Sequence, residues 1–300
     1  MPGRTPHTAP AVAGLLLNAL VWGLSWWPFK RLEQLGLHPL WATAMVYGLS
    51  FVAIALWCRA AGLPRGRWRA HPGLWWLLLA SGLTNVGFNW AVTVGDVVRV
   101  VLLFYLMPAW SVLVAWWLLG ERPTPGALLR LVLALAGLAT VLHRPDSPWP
   151  VPESLADVLA LLGGFSFALT NTLLLKLRGT PESSRMLAMF GGGAVMACLT
   201  ALLGSGTALV VQPTLWSPEW FGPVLVLTLA FLGGNIALQY GAARLPAHTT
   251  ALVMLSEVVF ASVSSVILGA STWDARTLWG GALILLAALL SVAMPGRSSH

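Results

Sequence analysis

The chain has 300 residues, of which 57% are hydrophobic and only 9% charged, with a mean hydropathy of +0.78. Soluble domains carry roughly 25% charged residues to face water, so this composition excludes an ordinary water-soluble fold and puts lipid over most of the surface. The net charge of +7 is spread over short segments between apolar runs, which argues against a nucleic-acid partner and fits membrane orientation instead.

A helix needs about 20 apolar residues to cross about 30 Å of hydrocarbon. Runs of about that length are predicted at about 11–30, 39–60, 72–93, 97–119, 125–143, 155–175, 185–206, 220–241, 247–269 and 275–294. The expected fold class is therefore an all-α integral membrane protein of ten transmembrane helices. The first run continues through Trp27 with no small-x-small cleavage site, so it reads as a span rather than a signal peptide. Pro39, Pro72, Pro125 and Pro246 stand at span starts, where the missing N–H costs nothing. One longer loop, 143–154, holds four prolines at mid-chain. Cys58 and Cys198 form no metal or redox motif.

Lysine and arginine stay on the cytoplasmic side of a membrane protein. With the N-terminus inside, the inner set is Arg4, Arg59, Arg65, Arg67, Arg69, Arg122, Lys176, Arg178, Arg185, Arg244 and Arg297, eleven in all. The outer set is Lys30, Arg31, Arg99, Arg144 and Arg276, five in all, with Arg130 left inside a span. The expectation is a multi-pass protein of the inner (cytoplasmic) membrane with both termini cytoplasmic.

Shifted by 150 residues, the chain overlays itself: Asn85-Val-Gly-Phe-Asn89-Trp90-Ala91 falls on Asn235-Ile-Ala-Leu-Gln239-Tyr240-Gly241. Five spans per half is an odd number, so the second half enters the membrane upside down. The expected organisation is two inverted five-helix repeats, 1–145 and 151–297. Carriers of this architecture bind their substrate near the midplane, at the repeat interface.

Two stretches carry a family resemblance: Leu102-Leu-Phe-Tyr-Leu-Met-Pro-Ala-Trp110 and Trp117-Leu-Leu-Gly-Glu-Arg-Pro-Thr-Pro125. With Trp22-Gly-Leu-Ser25 and Lys30 in the first span, Glu257-Val-Val-Phe-Ala261 and Gly280-Gly-Ala-Leu-Ile284, the chain resembles the drug/metabolite transporter superfamily, EamA type. Two departures are visible: Val258 replaces the proline usual after the glutamate, and Ala270-Ser271 replaces the second Gly-Glu pair. The resemblance implies a ten-helix alternating-access carrier with a central cavity, usually an exporter, and names no substrate.

Polar side chains inside hydrocarbon are costly and tend to face the bundle interior. Asn85 and Asn89 share one helix face, as do Asn235 and Gln239. Either these amides line a cavity or they hydrogen-bond between helices. Glu257 lies near the centre of the ninth run, as a cation site, a coupling-proton carrier or a structural carboxyl. Arg99 either meets a substrate carboxylate or pairs with Asp96, three residues back, as an outer latch. Trp22 and Trp26, with Ser25 beside them, and Phe167 with Asn171 on the sixth helix suit a planar or cationic solute. Packing against neighbouring helices accounts for these aromatics equally well.

No phosphate loop, zinc motif or nucleophile motif occurs, so neither catalysis nor a cofactor is expected. The expected function is secondary transport of a small amphipathic metabolite, an amino acid, amine or related compound, driven by protons or by the solute's own gradient. Export is the leading direction, with uptake or exchange second, and a membrane enzyme or assembly subunit third. The expected partners are the small-molecule substrate, the lipid bilayer and protons, in a monomer or homodimer.

Overall fold

Without water to solvate it, a membrane-embedded backbone must satisfy its N–H and C=O groups internally, and helices do so within one segment. The computed structural model describes residues 8–63, 71–120, 124–143, 151–207, 209–213, 217–242, 244, 253–271 and 274–293. Its α-helices are α1 (Thr8–Leu24), α2 (Trp26–Gln34), α3 (Pro39–Ala60), α4 (Gly73–Val94), α5 (Val97–Phe104), α6 (Met107–Leu119) and α7 (Pro125–Leu142). There follow α8 (Leu155–Lys176), α9 (Glu182–Gly206), α10 (Phe221–Ala242), α11 (Ser256–Ile267) and α12 (Ala275–Ala293). Among the described residues, eight helical stretches are long and apolar enough to cross a membrane, α1 with α2 and α5 with α6 each counting as one. Ser256–Ile267 and Ala275–Ala287 are apolar but shorter. Residues 247–252, the start of the ninth expected span, and Pro246 lie outside the described residues.

The interrupted helices have local causes. Pro28 has no N–H to offer the Leu24 carbonyl, and the helix breaks at Ser25, whose hydroxyl donates to the Trp22 carbonyl at 2.8 Å. Pro108 likewise deprives the Phe104 carbonyl, and α5 ends there. A third break falls at Leu255 with no proline to cause it. There the Val258 N–H turns back to the Leu255 carbonyl at 3.2 Å, and the Ser256 hydroxyl donates to the Val253 carbonyl at 2.7 Å.

Small residues set the helix crossings, as close approach in a membrane requires. A Cβ on Gly192 of α9 would collide with the Leu78 carbonyl of α4. One on Gly280 of α12 would sit 2.7 Å from the Gly137 carbonyl of α7. Helix interfaces join α4 to α8 and α9, α1 to α10 and α11, and α8 to α5 and α6. Further pairs are α3 with α9 and α10, α7 with α12, and α5 with α11. Gly73 meets Leu177 and Gly95 meets Ala156, so α4 and α8 run antiparallel and define the two ends of the bundle.

Candidate functional site: an aromatic and amide-lined cavity

Six helices converge on a cavity of about 80 Å³, several times the roughly 10–15 Å³ that one water needs on the same measure. Its walls are Trp22 (α1), Tyr47 (α3), Ser81, Thr84 and Asn85 (α4), Phe167 and Thr170 (α8), Met189 and Phe190 (α9), and Phe231 and Asn235 (α10). On α4 these residues lie around the middle of the helix, while on α8 they sit in the half nearer Lys176 and on α9 in the half nearer Glu182, so the cavity lies near mid-depth, displaced towards that end. The opposite half of the interior is filled by Phe88, Trp90 and the apolar side chains of α5, from Val97 to Phe104.

The aromatic walls hold one another. Trp22 stacks on Phe231 with centroids 4.7 Å apart, and Phe231 lies 5.6 Å from Tyr47, which lies 5.7 Å from Phe190. Such pairs add about 0.5–1.5 kcal/mol each beyond area burial, so the walls are preorganised. The polar groups are held too. The Tyr47 hydroxyl donates to Asn85 Oδ1 at 2.5 Å, and Asn85 Nδ2 donates to the Ser81 carbonyl at 2.8 Å.

Four residues expected from sequence therefore meet here: Trp22, Asn85, Phe167 and Asn235. The others take different places. Asn89 is fully buried and donates to the Thr43 hydroxyl at 3.3 Å, an α4–α3 contact. Trp26 is buried and its indole N–H donates to Ser264 on α11 at 3.0 Å. Ser25 is buried at the α1–α2 break, and Asn171 is exposed without lining the cavity. The side chain of Gln239 lies outside the described residues. Glu257 is buried in the first turn of α11, where it accepts the Tyr105 hydroxyl at 3.1 Å. It is separate from the cavity walls. Tyr47, Phe190 and Phe231 were not expected at a site, because apolar aromatics in apolar helices carry no sequence signal that separates a wall from packing.

The guanidinium of Arg99 turns away from Asp96 to an acid on another helix. Its Nε and Nη2 grip Asp157 of α8 at 2.8 and 2.9 Å, and its Nη1 donates to the Val141 carbonyl of α7 at 2.8 Å. Glu153 stands 3.8 Å away. Asp96 instead caps α5, accepting the Arg99 backbone N–H at 2.9 Å. At the same end Lys30 reaches the Gly95 carbonyl at 3.5 Å, and Ser271 accepts the Val98 N–H at 3.3 Å. This polar belt ties α2, α5, α7 and α8 together at the end remote from the cavity.

Apolar helices around a partly polar internal cavity define a multi-pass membrane protein. Residues 9–143 match the EamA-like transporter family, which belongs to the drug/metabolite transporter superfamily. A match of this kind suggests a membrane transporter of the drug/metabolite type. One solved crystal structure, with 18% sequence identity, superposes over 98% of this chain and 100% of its own with a TM-score of 0.58, a likeness of fold. Among curated proteins nothing matches.

Proposed function

We propose that the protein is a secondary transporter that exports a small amphipathic metabolite across the inner membrane by alternating access, the cavity being its binding site. The observation that carries this reading is the origin of the walls: α1, α3 and α4 supply one side, and α8, α9 and α10 the other. Counting α1 with α2 and α5 with α6 as single spans, these are the first three spans of each half. Asn85 and Asn235, which stand 150 residues apart, both face the cavity.

The helix pairing supports ten spans in two inverted repeats, 1–145 and 151–297. Exchange each span with the one five places on, and the α4–α8 contact becomes α10–α1. Likewise α4–α9 becomes α10–α3, and α5 with α8 becomes α11 with α1. The α7–α12, α3–α9 and α5–α11 contacts map onto themselves. The breaks at Tyr105 and Leu255 are also 150 residues apart. With both termini cytoplasmic, as the arginine distribution supports, the cavity lies towards the cytoplasm and the Arg99–Asp157 belt seals the outer end. The polar belt and the cavity then serve as gate and site of one cycle.

The test is a thermal-shift screen of purified protein against metabolites, followed by liposome flux for each stabilising compound. A stabilising compound that crosses the membrane saturably supports the reading. Stabilising compounds that never move would refute it.

A further inference from the structure

The direction of the hydrogen bonds in the cavity restricts what it can hold. A hydroxyl has one proton and two lone pairs. Ser81 commits its proton to the Leu77 carbonyl at 2.7 Å, Thr84 to Ala80 at 2.9 Å, and Thr170 to Ser166 at 2.8 Å. Tyr47 commits its own to Asn85 Oδ1. Every hydroxyl among the lining residues is thus turned inward as a donor, and what it has left for a solute is lone pairs. Around them stand Trp22, Tyr47, Phe167, Phe190 and Phe231, whose ring faces are electron-rich. Among the described lining residues there is no lysine, arginine or histidine, and the amides of Asn85 and Asn235 and the Trp22 indole are the N–H-bearing side chains.

We infer that the cavity selects an organic cation, an ammonium group on a small apolar or aromatic body, and disfavours carboxylates. This rests on the reading of the cavity as the transport site. An ammonium brings three donors and no acceptor, which matches hydroxyl lone pairs, and its charge is attracted to aromatic faces. A carboxylate presents about four acceptor sites. It would exchange water for a wall that offers few donors, and burying a poorly paired charge is costly. A neutral alcohol of the same shape meets the lone pairs with a single proton and gains nothing from charge at the rings. Glu257 is not a wall residue, so the selectivity stems from aromatic and hydroxyl groups rather than from an ion pair.

The test uses full-length protein in lipid nanodiscs and three probes that share one ring: benzylamine, as the ammonium at neutral pH, benzyl alcohol and benzoate. Calorimetry should give benzylammonium an affinity about tenfold above either of the others. Trp22→Leu and Phe231→Leu should each reduce ammonium affinity about tenfold, and Thr84→Val should reduce it by a smaller factor. Two ring variants guard against one failing to fold, and each is checked for a single symmetric elution peak. Benzoate or benzyl alcohol binding as tightly as benzylammonium, while still responding to the ring substitutions, would overturn the cation selectivity and leave the cavity as the site. Benzylammonium binding that ignores both ring substitutions would place the site elsewhere and overturn the cavity reading itself. An absence of binding by all three probes would overturn the selectivity as well.

Discussion

Asp157→Asn tests whether the polar belt is a gate. Asp157 is 1% exposed and accepts two hydrogen bonds from Arg99 and one from the Glu153 backbone N–H at 2.9 Å. Asparagine keeps the shape but loses the charge and one acceptor. Breaking a fully buried pair costs about 3–5 kcal/mol. Here Arg99 keeps the Val141 carbonyl, and its side chain is 21% exposed, so water and a neighbour recover part of that. About 2 kcal/mol remains, near the lower end for hydrogen bonds to charged groups. If the belt exists only in the state sealed at this end, the equilibrium shifts about 30-fold towards opening. Thr93, buried in the sealed half of α4, reports it: Thr93→Cys in a Cys58→Ser, Cys198→Ser background is labelled with a membrane-impermeant maleimide. The substitution at 157 should speed labelling about 30-fold. Unchanged labelling in a protein that still elutes as folded would refute the gate.

Three further predictions follow from other parts of the structure. Glu257→Gln removes the ionisable group but keeps a partner for Tyr105; uphill, proton-driven flux should collapse while counterflow survives, and wild-type uphill flux would remove this residue from coupling. His38, which caps α3 through Nδ1 and is half-buried, has its pKa lowered below the ordinary 6.5 by burial. The folded protein therefore favours neutral imidazole, so the stability it contributes is complete above about pH 6.5 and is lost as pH falls below that value. The Tm of wild type should accordingly drop more between pH 7 and 5 than that of His38→Asn, whose amide caps at any pH; parallel curves would count against this role. Gly192→Ala forces a methyl against the Leu78 carbonyl and should destabilise the α4–α9 crossing by about 1–3 kcal/mol or more, read as a fall in Tm or loss of the monodisperse peak. An unchanged Tm would mean that the crossing is looser than the structure has it.

Much of the fold was legible because hydrophobic runs and prolines act locally. Pro39 and Pro125 begin their helices where the sequence placed them, and the first eight runs became helices with ends shifted by a few residues. The break at Leu255 was not legible, since Val258 has an N–H and the interruption rests on Ser256 and the turn itself. At the site, Asn85 and Asn235 were found because amides stand out in an apolar helix. Asn89 carried the same signal and yet packs against Thr43, since its spacing gives a face but not the neighbour that face meets. For Arg99 the sequence offers Asp96, three residues back, or a substrate carboxylate, whereas its partner Asp157 is 58 residues away and is brought to it by the packing of α5 on α8.

The most direct measurement is counterflow of a stabilising solute in proteoliposomes carrying Asn85→Ala, Asn235→Ala or Trp22→Leu. Each substitution truncates a wall contributed by a different helix, so loss of one hydrogen bond or ring contact, about 1–2 kcal/mol, should lower kcat/KM about 5- to 30-fold. The protein should still elute as a single peak in every case. Counterflow at the wild-type rate and affinity in all three variants would contradict the assignment of this cavity as the transport site.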